Sequence, residues 1–137
     1  MIETIKRTIY ITKADMTRLR NLIEAQKGSR DDLTRLQSEL DHARVVEPEE
    51  IPGDVITMNS KARLRDLDDQ EEMTFTLVFP EHASIDHDRI SVVAPIGTAM
   101  LGQREGDEFE WEVPAGRVRL KVIKVLYQPE AAKQYHL

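Results

Sequence analysis

Residues 108–113 and 117–122 constrain the fold of this chain more tightly than any other stretch. Phe109, Trp111 and Val113 alternate with Glu108, Glu110 and Glu112, while Val118, Leu120 and Val122 alternate with Arg117, Arg119 and Lys121. A period of two places the apolar side chains on one face of a strand and the charges on the other. Joined by a loop from Val113 to Gly116, the two strands would set Glu112 against Arg117, Glu110 against Arg119 and Glu108 against Lys121. On the covered side Trp111 would then meet Val118, and Phe109 would meet Leu120. A slip of one residue would put charges against hydrophobes, so this register is the expected one. Val122-Ile123 breaks the alternation and predicts a bulge or a strand covered on both faces. The chain should therefore build an antiparallel sheet with one buried face.

Other strands are expected at Asp54–Met58, Ala62–Leu67, Met73–Phe79 and Arg89–Val93, with the hairpin strands at Asp107–Val113 and Arg117–Tyr127 and a short helix within Pro95–Gly102. The first third has a helical period instead. Met16, Leu19, Leu22, Ile23 and Gln26 recur at three- and four-residue steps, as do Leu33, Leu36, Leu40 and Ala43. Thr12 with Asp15 and Ser29 with Asp32 fit capping boxes, and Gly28 suits a helix end in the left-handed conformation. Two helices of about 15 residues, linked by about two, make a short antiparallel helical hairpin, a coiled coil ~22 Å long. Helices of that length are marginal alone, so the base needs bracing, and Thr8–Ile11 offers a short strand for it.

Val46–Gly53 contains two prolines and three glutamates without periodicity and is the expected linker. The expected fold class is α+β: residues 1–46 form the N-terminal helical hairpin, 47–53 the linker, and 54–137 a C-terminal β-sheet domain with one short helix.

At 137 residues the chain is about one domain long, and with no cysteine it can use neither disulfides nor thiolate chemistry. A net charge of −6 argues against a main role in coating nucleic-acid phosphates and favours a protein partner. No apolar run approaches the ~18 residues of a membrane span. The N-terminal residues Met1–Arg7 lack the apolar stretch of an export signal, so the cytoplasm is the expected compartment.

No phosphate-binding glycine loop, nucleophile elbow or paired-histidine helix is present, so neither a catalytic residue nor a cofactor is expected. Glu81-His82-Ala83-Ser84-Ile85-Asp86-His87-Asp88 is the best metal candidate, and in a polar connection it is expected to be a solvated loop. Arg117, Arg119 and Lys121 resemble a nucleic-acid stripe, but the register provides each with a glutamate. Arg63 and Arg65 are expected on the solvent side of their strand. Lys27-Gly28-Ser29-Arg30-Asp31-Asp32 would form the tip of the hairpin. Asp31 and Asp32 there either favour the helix dipole and cap, or contact a cationic pocket or a Mg²⁺ held mainly by a partner; both readings stay open.

Ser91-Val-Val-Ala-Pro-Ile-Gly-Thr-Ala-Met-Leu-Gly-Gln-Arg-Glu-Gly-Asp107, followed by the strand ending Lys121-Val-Ile-Lys-Val-Leu-Tyr127, resembles the C-terminal domain of the Gre transcript-cleavage factors (GreA/GreB) over most of residues 54–127. Asp54-Val-Ile-Thr-Met-Asn-Ser60 and Tyr127-Gln-Pro-Glu-Ala-Ala132 are similar, more particularly, to the Rnk family, regulators of nucleoside diphosphate kinase. The resemblance implies an FKBP-like C-terminal domain, an antiparallel sheet curled around a short helix. It also implies binding to RNA polymerase near the secondary channel.

In Gre factors a coiled coil enters that pore, and acidic tip residues help hold a catalytic Mg²⁺. The rim-docking loop of that family maps onto Ala94, Pro95 and Ile96, with Ala94 where the Gre pattern usually has serine. The partner-binding residues expected here are thus Arg30, Asp31, Asp32, Ala94, Pro95 and Ile96. The Gre coiled coil is roughly twice the ~22 Å available here. Asp31 and Asp32 should then stop short of the polymerase active centre, which implies channel occupancy and competition with longer factors without transcript cleavage.

The alternatives are a regulator of nucleotide metabolism acting through nucleoside diphosphate kinase, an FKBP-type peptidyl-prolyl isomerase, and a nucleic-acid-binding module. An isomerase pocket needs aromatic walls, and the chain has one Trp, three Tyr and three Phe, with Phe109 and Trp111 assigned to the core. The acidic net charge makes the nucleic-acid module the least favoured of the three.

Overall fold

The computed structural model describes residues 9–25, 33–113 and 116–129. The architecture is mixed α+β. Strand β1 (Tyr10–Thr12) leads into helix α1 (Lys13–Ala25), and helix α2 (Leu33–Asp41) returns to strand β2 (Arg44–Val46). β1 and β2 pair in parallel, Ile11 beside Val45, so both helices grow from one small sheet. This is the brace that two marginal helices require, although the pairing begins at Tyr10, two residues beyond the expected start. The Thr12 Oγ1 accepts a hydrogen bond from the Asp15 N–H at 3.1 Å, as the Thr12–Asp15 spacing predicts. Leu19 and Ile23 of α1 and Leu36 and Leu40 of α2 are buried in one cluster, and Arg20 bridges to Asp41 at 2.9 Å. The Ser29–Asp32 capping box and Gly28 lie outside the described residues.

Beyond β2, a 3-10 turn at Pro48–Glu50 closes with the Glu47 N–H donating to Glu50 Oε1, and Ile51 is buried. Strands β3 (Lys61–Asp66), β4 (Glu72–Val78), β5 (Arg89–Ser91), β6 (Glu108–Val113) and β7 (Gly116–Tyr127) form a sheet in the order β5-β4-β3-β7-β6. β6 and β7 adopt the register that the alternation predicts: Glu108 faces Lys121, Phe109 faces Leu120, Glu110 faces Arg119, Trp111 faces Val118 and Glu112 faces Arg117. The bulge expected at Val122-Ile123 is present. Against β3, Leu64 pairs with Val122 and Arg63 with Lys124, so Ile123 is the extra residue, and Leu126 is a second one.

Two expectations need correction. Asp54–Met58 is not a strand; it makes one isolated bridge, Val55 to Arg104. Val55, Ile56, Thr57 and Met58 are all buried, so the one-sided covering that an alternating strand needs is absent. Its backbone is satisfied locally instead: the Ile56 N–H donates to Gln103 O, Gly102 N–H to Ile56 O, and Thr57 N–H to Ser60 Oγ. The sheet is also not wholly antiparallel, because β5 runs parallel to β4. Two 3-10 turns, Pro80–His82 and Ile85–His87, carry the chain back level with Thr76, in the last half of β4, before β5 begins.

The inner face of the sheet, with Ala62, Leu64, Leu77, Phe109, Leu120 and Val122, shares a core with Ala99, Met100 and Leu101 at the end of helix α3 (Pro95–Met100). Ile9 and Ile11 belong to the same cluster. Where they meet the α3 end, Gly102 has a φ of +83°, and a Cβ there would lie 2.0 Å from Ile9 Cγ2. Only glycine meets both demands. From the other side, the Arg18 guanidinium sits 3.8 Å from the Phe79 ring centroid and ties α1 to the end of β4.

The Gly102→Ala variant is expected to lose about 2–4 kcal/mol, combining left-handed strain with overpacking on Ile9. Ile9→Ala alone should lose about 2–4 kcal/mol. The double variant should lose clearly less than the sum, because the smaller side chain removes the clash. Urea unfolding of the three variants checks this, and strict additivity would show that the two residues do not press on each other.

Candidate docking groove

The segment from Ser91 to Gly102 is a strand end turned sharply into a helix. A residue preceding proline favours extended backbone and proline suits the first helical position; Ala94 is extended (φ −72°, ψ 149°) and Pro95 opens α3. Ala94 has no side-chain oxygen to cap that helix. The turn is held from beneath. The Ala94 N–H donates to Ser91 O, the Val93 N–H donates to Ser91 Oγ, and the buried Thr98 hydroxyl donates to Val92 O at 2.6 Å. At Gly97 a Cβ would stand 2.0 Å from Ser91 O, so α3 can lie on the end of β5 only with glycine there.

Outward, Ala94 and Ile96 line a largely apolar groove of about 570 Å³. Its opposite wall is Ala83–Asp86 and its floor includes Arg89 and Ile90. The wall is folded by reciprocal hydrogen bonds between the Ser84 and Arg89 backbones, the Ser84 Oγ–His87 Nδ1 contact at 2.9 Å, and a left-handed Asp88. At its rim Ile85 is 88% exposed. Ile85 extends the apolar lining of the groove outward, and a contiguous apolar patch of this kind is a candidate partner surface.

The groove brings together the expected residues Ala94 and Ile96, with the Pro95 backbone between them. Arg30, Asp31 and Asp32 lie outside the described residues. Ile85 and Ile90 were not expected in a site. Ile85 had a signal: it is the one aliphatic residue longer than alanine in the polar run from Glu81 to Asp88. That run is the former metal candidate. His82, Asp86, His87 and Asp88 are all exposed, and no cluster of three metal-ligating groups occurs among the described residues.

The charged stripes are largely occupied. Arg65 meets Glu72 at 2.6 Å, Arg117 meets Glu110 diagonally at 3.2 Å, and Arg119 reaches Asp68 at 3.9 Å. His42 Nδ1 is 2.9 Å from Ser38 O, and His136 lies outside the described residues. Among the described residues no helix is long and apolar enough to cross a membrane.

One buried polar side chain, Gln128, ties the end of the sheet back to the segment that precedes it. The Gln128 amide donates to Pro52 O at 2.8 Å and to Val55 O at 2.7 Å, fastening the end of β7 to the segment leading into β3.

Comparison with known proteins finds two families along the chain. Residues 51–127 match the family described as transcription elongation factor, GreA/GreB, C-terminal, and residues 7–46 match the family described as Rnk N-terminus. The chain is 42% identical to the regulator of nucleoside diphosphate kinase of Escherichia coli K12, over 95% of this chain and 97% of that one. It is 32% identical to the transcription elongation factor GreA of a Nitratiruptor species, over 71% of this chain and 60% of that one. Among solved structures, a prokaryotic transcription elongation factor GreA/GreB from Nitrosomonas europaea is similar with a TM-score of 0.77 and 41% identity, covering 89% of this chain and all of that one. The chain belongs to the GreA/GreB transcription elongation factor family, with an N-terminal segment of the Rnk type.

Proposed function

We propose that this protein is a transcription regulator that binds RNA polymerase near the secondary channel, through the groove between Ile85 and Ile96, and competes there with Gre-type factors without stimulating transcript cleavage. The groove carries the proposal. It lies on the segment whose counterpart in the resemblance docks at the channel rim, and Ile85 at its edge gives a partner an apolar anchor. The proposal includes an FKBP-like C-terminal domain from residue 54, an antiparallel hairpin within residues 1–46 and a linker at 47–53. In it Arg30, Asp31 and Asp32 approach the channel wall, and Ala94, Pro95 and Ile96 grip the rim.

Reach supports the second half of the proposal. Thr12 and Arg44 are rooted in the β1–β2 sheet, and the residues between them, going out and back as helix, span at most roughly 24 Å. That is about half of what the longer coiled coil uses, so the tip carboxylates stop outside the catalytic centre. A second reading, action through nucleoside diphosphate kinase, is favoured by the name that the Escherichia coli relative bears. The isomerase reading has no aromatic residue among those lining the groove to support it.

Two measurements test the proposal. Ile85→Asp should weaken binding to purified core polymerase at least tenfold while shifting stability by less than about 0.5 kcal/mol, since the residue is already in water. Unchanged affinity would misplace the docking surface, and capture of a small kinase in place of the large polymerase subunits would favour the second reading. Added to a backtracked complex, the protein should leave intrinsic RNA cleavage unstimulated and should suppress, with increasing dose, the cleavage stimulated by a Gre factor. Stimulation that disappears in Asp31→Ala would overturn the reach argument.

A further inference from the structure

The outer face of the five-stranded sheet divides into a neutralised half and a cationic half. Residues paired across neighbouring strands share a face, so the register lays the side chains out in rows. At one end the rows are Glu72–Arg65–Lys121–Glu108 and then Arg119–Glu110, each placing acidic and basic residues in register, and Arg65–Glu72, Arg117–Glu110 and Arg119–Asp68 are paired there. At the other end they are Arg89–Thr76–Lys61–Tyr127 and Thr74–Arg63–Lys124, which contain no carboxylate. Among the described residues the Lys61, Lys124 and Arg89 side chains make neither an ion pair nor a hydrogen bond. Arg63 comes only within 4.0 Å of Glu72, which Arg65 already holds at 2.6 Å. The nearby carboxylates are Asp88, in the left-handed turn before Arg89, and Glu105, whose Oε2 accepts the Val125 N–H.

In a chain of net charge −6, three cations that pair with no carboxylate among the described residues, with Arg63 only at the 4.0 Å margin of Glu72 beside them, mark a surface for an anion. Along one strand the rows stand about 6.8 Å apart, and neighbouring strands about 4.8 Å apart, so the charges form a grid suited to an extended polyanion. Two features favour a nucleic acid over an acidic peptide. Thr76 lies between Arg89 and Lys61 and Thr74 beside Arg63, where their hydroxyls can donate to phosphate oxygens. The half-buried Tyr127 stands beside Lys61 at the end of its row, giving a base a ring to stack on.

We propose that this half of the sheet binds the backbone of single-stranded nucleic acid without sequence preference, Lys61, Arg63, Arg89 and Lys124 contacting phosphates and Tyr127 stacking a base. The surface is largely separate from the groove proposed for polymerase: of the four cations only Arg89 lines it, and the test below rests on Lys61 and Lys124, which do not.

The test is fluorescence anisotropy of a labelled oligouridylate of about 12 nucleotides titrated with the full chain. With about four phosphates neutralised, affinity should fall about 50-fold between roughly 50 and 200 mM salt. Lys61→Glu with Lys124→Glu should weaken binding at least about tenfold at low salt, and the milder Lys61→Gln with Lys124→Gln at least about threefold should the reversal disturb folding. Lys13→Glu with Arg44→Glu, an equal charge change at the root of the helices, should stay within about twofold of the parent. Absence of binding at low salt, equal loss in both charge-reversal pairs, or equally tight binding of a polyglutamate of the same length would each overturn the proposal, the last by pointing to an acidic protein.

Discussion

Ile9 seated against Gly102 is the contact on which the rest of the molecule depends. It joins the first described residue of the chain to the end of α3, where the sheet core closes, and it does so at a position where only glycine allows both the backbone conformation and the approach. From that contact β1 is placed, β1 holds β2, and the two together root both helices. Arg18 over Phe79 supplies a second tether from the flank. Single surface ion pairs such as Arg20–Asp41 add little by comparison. The helices thus stand on a base that is part of the sheet's own core, and one continuous apolar cluster runs from Leu40 to Leu120.

The groove and the helical root communicate through the shortest helix of the fold. Its first turn carries Ala94 and Ile96 at the groove, and its last residues deliver Gly102 to Ile9, so both surfaces are positioned by the same six-residue element. Gly97 against Ser91 O and Thr98 on Val92 O fix the outer end, while the Gln103 amide donating to Ala99 O fixes the inner one. A partner that grips the groove therefore holds an element already locked to the base of the helices.

Sequence reasoning succeeded where a regular pattern met a one-sided environment. The β6–β7 register, the Ile123 bulge, the Thr12 cap and the short helix at Pro95 all follow from residue type and spacing. It failed where burial is two-sided or the pairing is distant. Val55–Met58 reads as a strand because it is apolar and rich in β-branched residues, yet every residue of it is buried and its pairing goes no further than the isolated Val55–Arg104 bridge. The parallel direction of β5 depends on two 3-10 turns that carry no periodic signal. The opposite wall of the groove was hidden for a related reason: Ile85 is close to Ile96 only after the chain has passed through those turns. The diagonal contact between Arg117 and Glu110 likewise depends on side-chain reach that register alone does not specify.

Among the described residues β6 ends the sheet, with no strand paired along its outer edge. Its alternating glutamates make that edge a poor template for another molecule. If two copies aligned edge to edge with glutamates on a common side, carboxylate would confront carboxylate at each step; shifted by one residue, carboxylates would be forced against the positions of Phe109 and Trp111. The same acidic row that balances β7 within the chain thereby discourages fibrillar growth between chains, a safeguard that costs the fold no additional element.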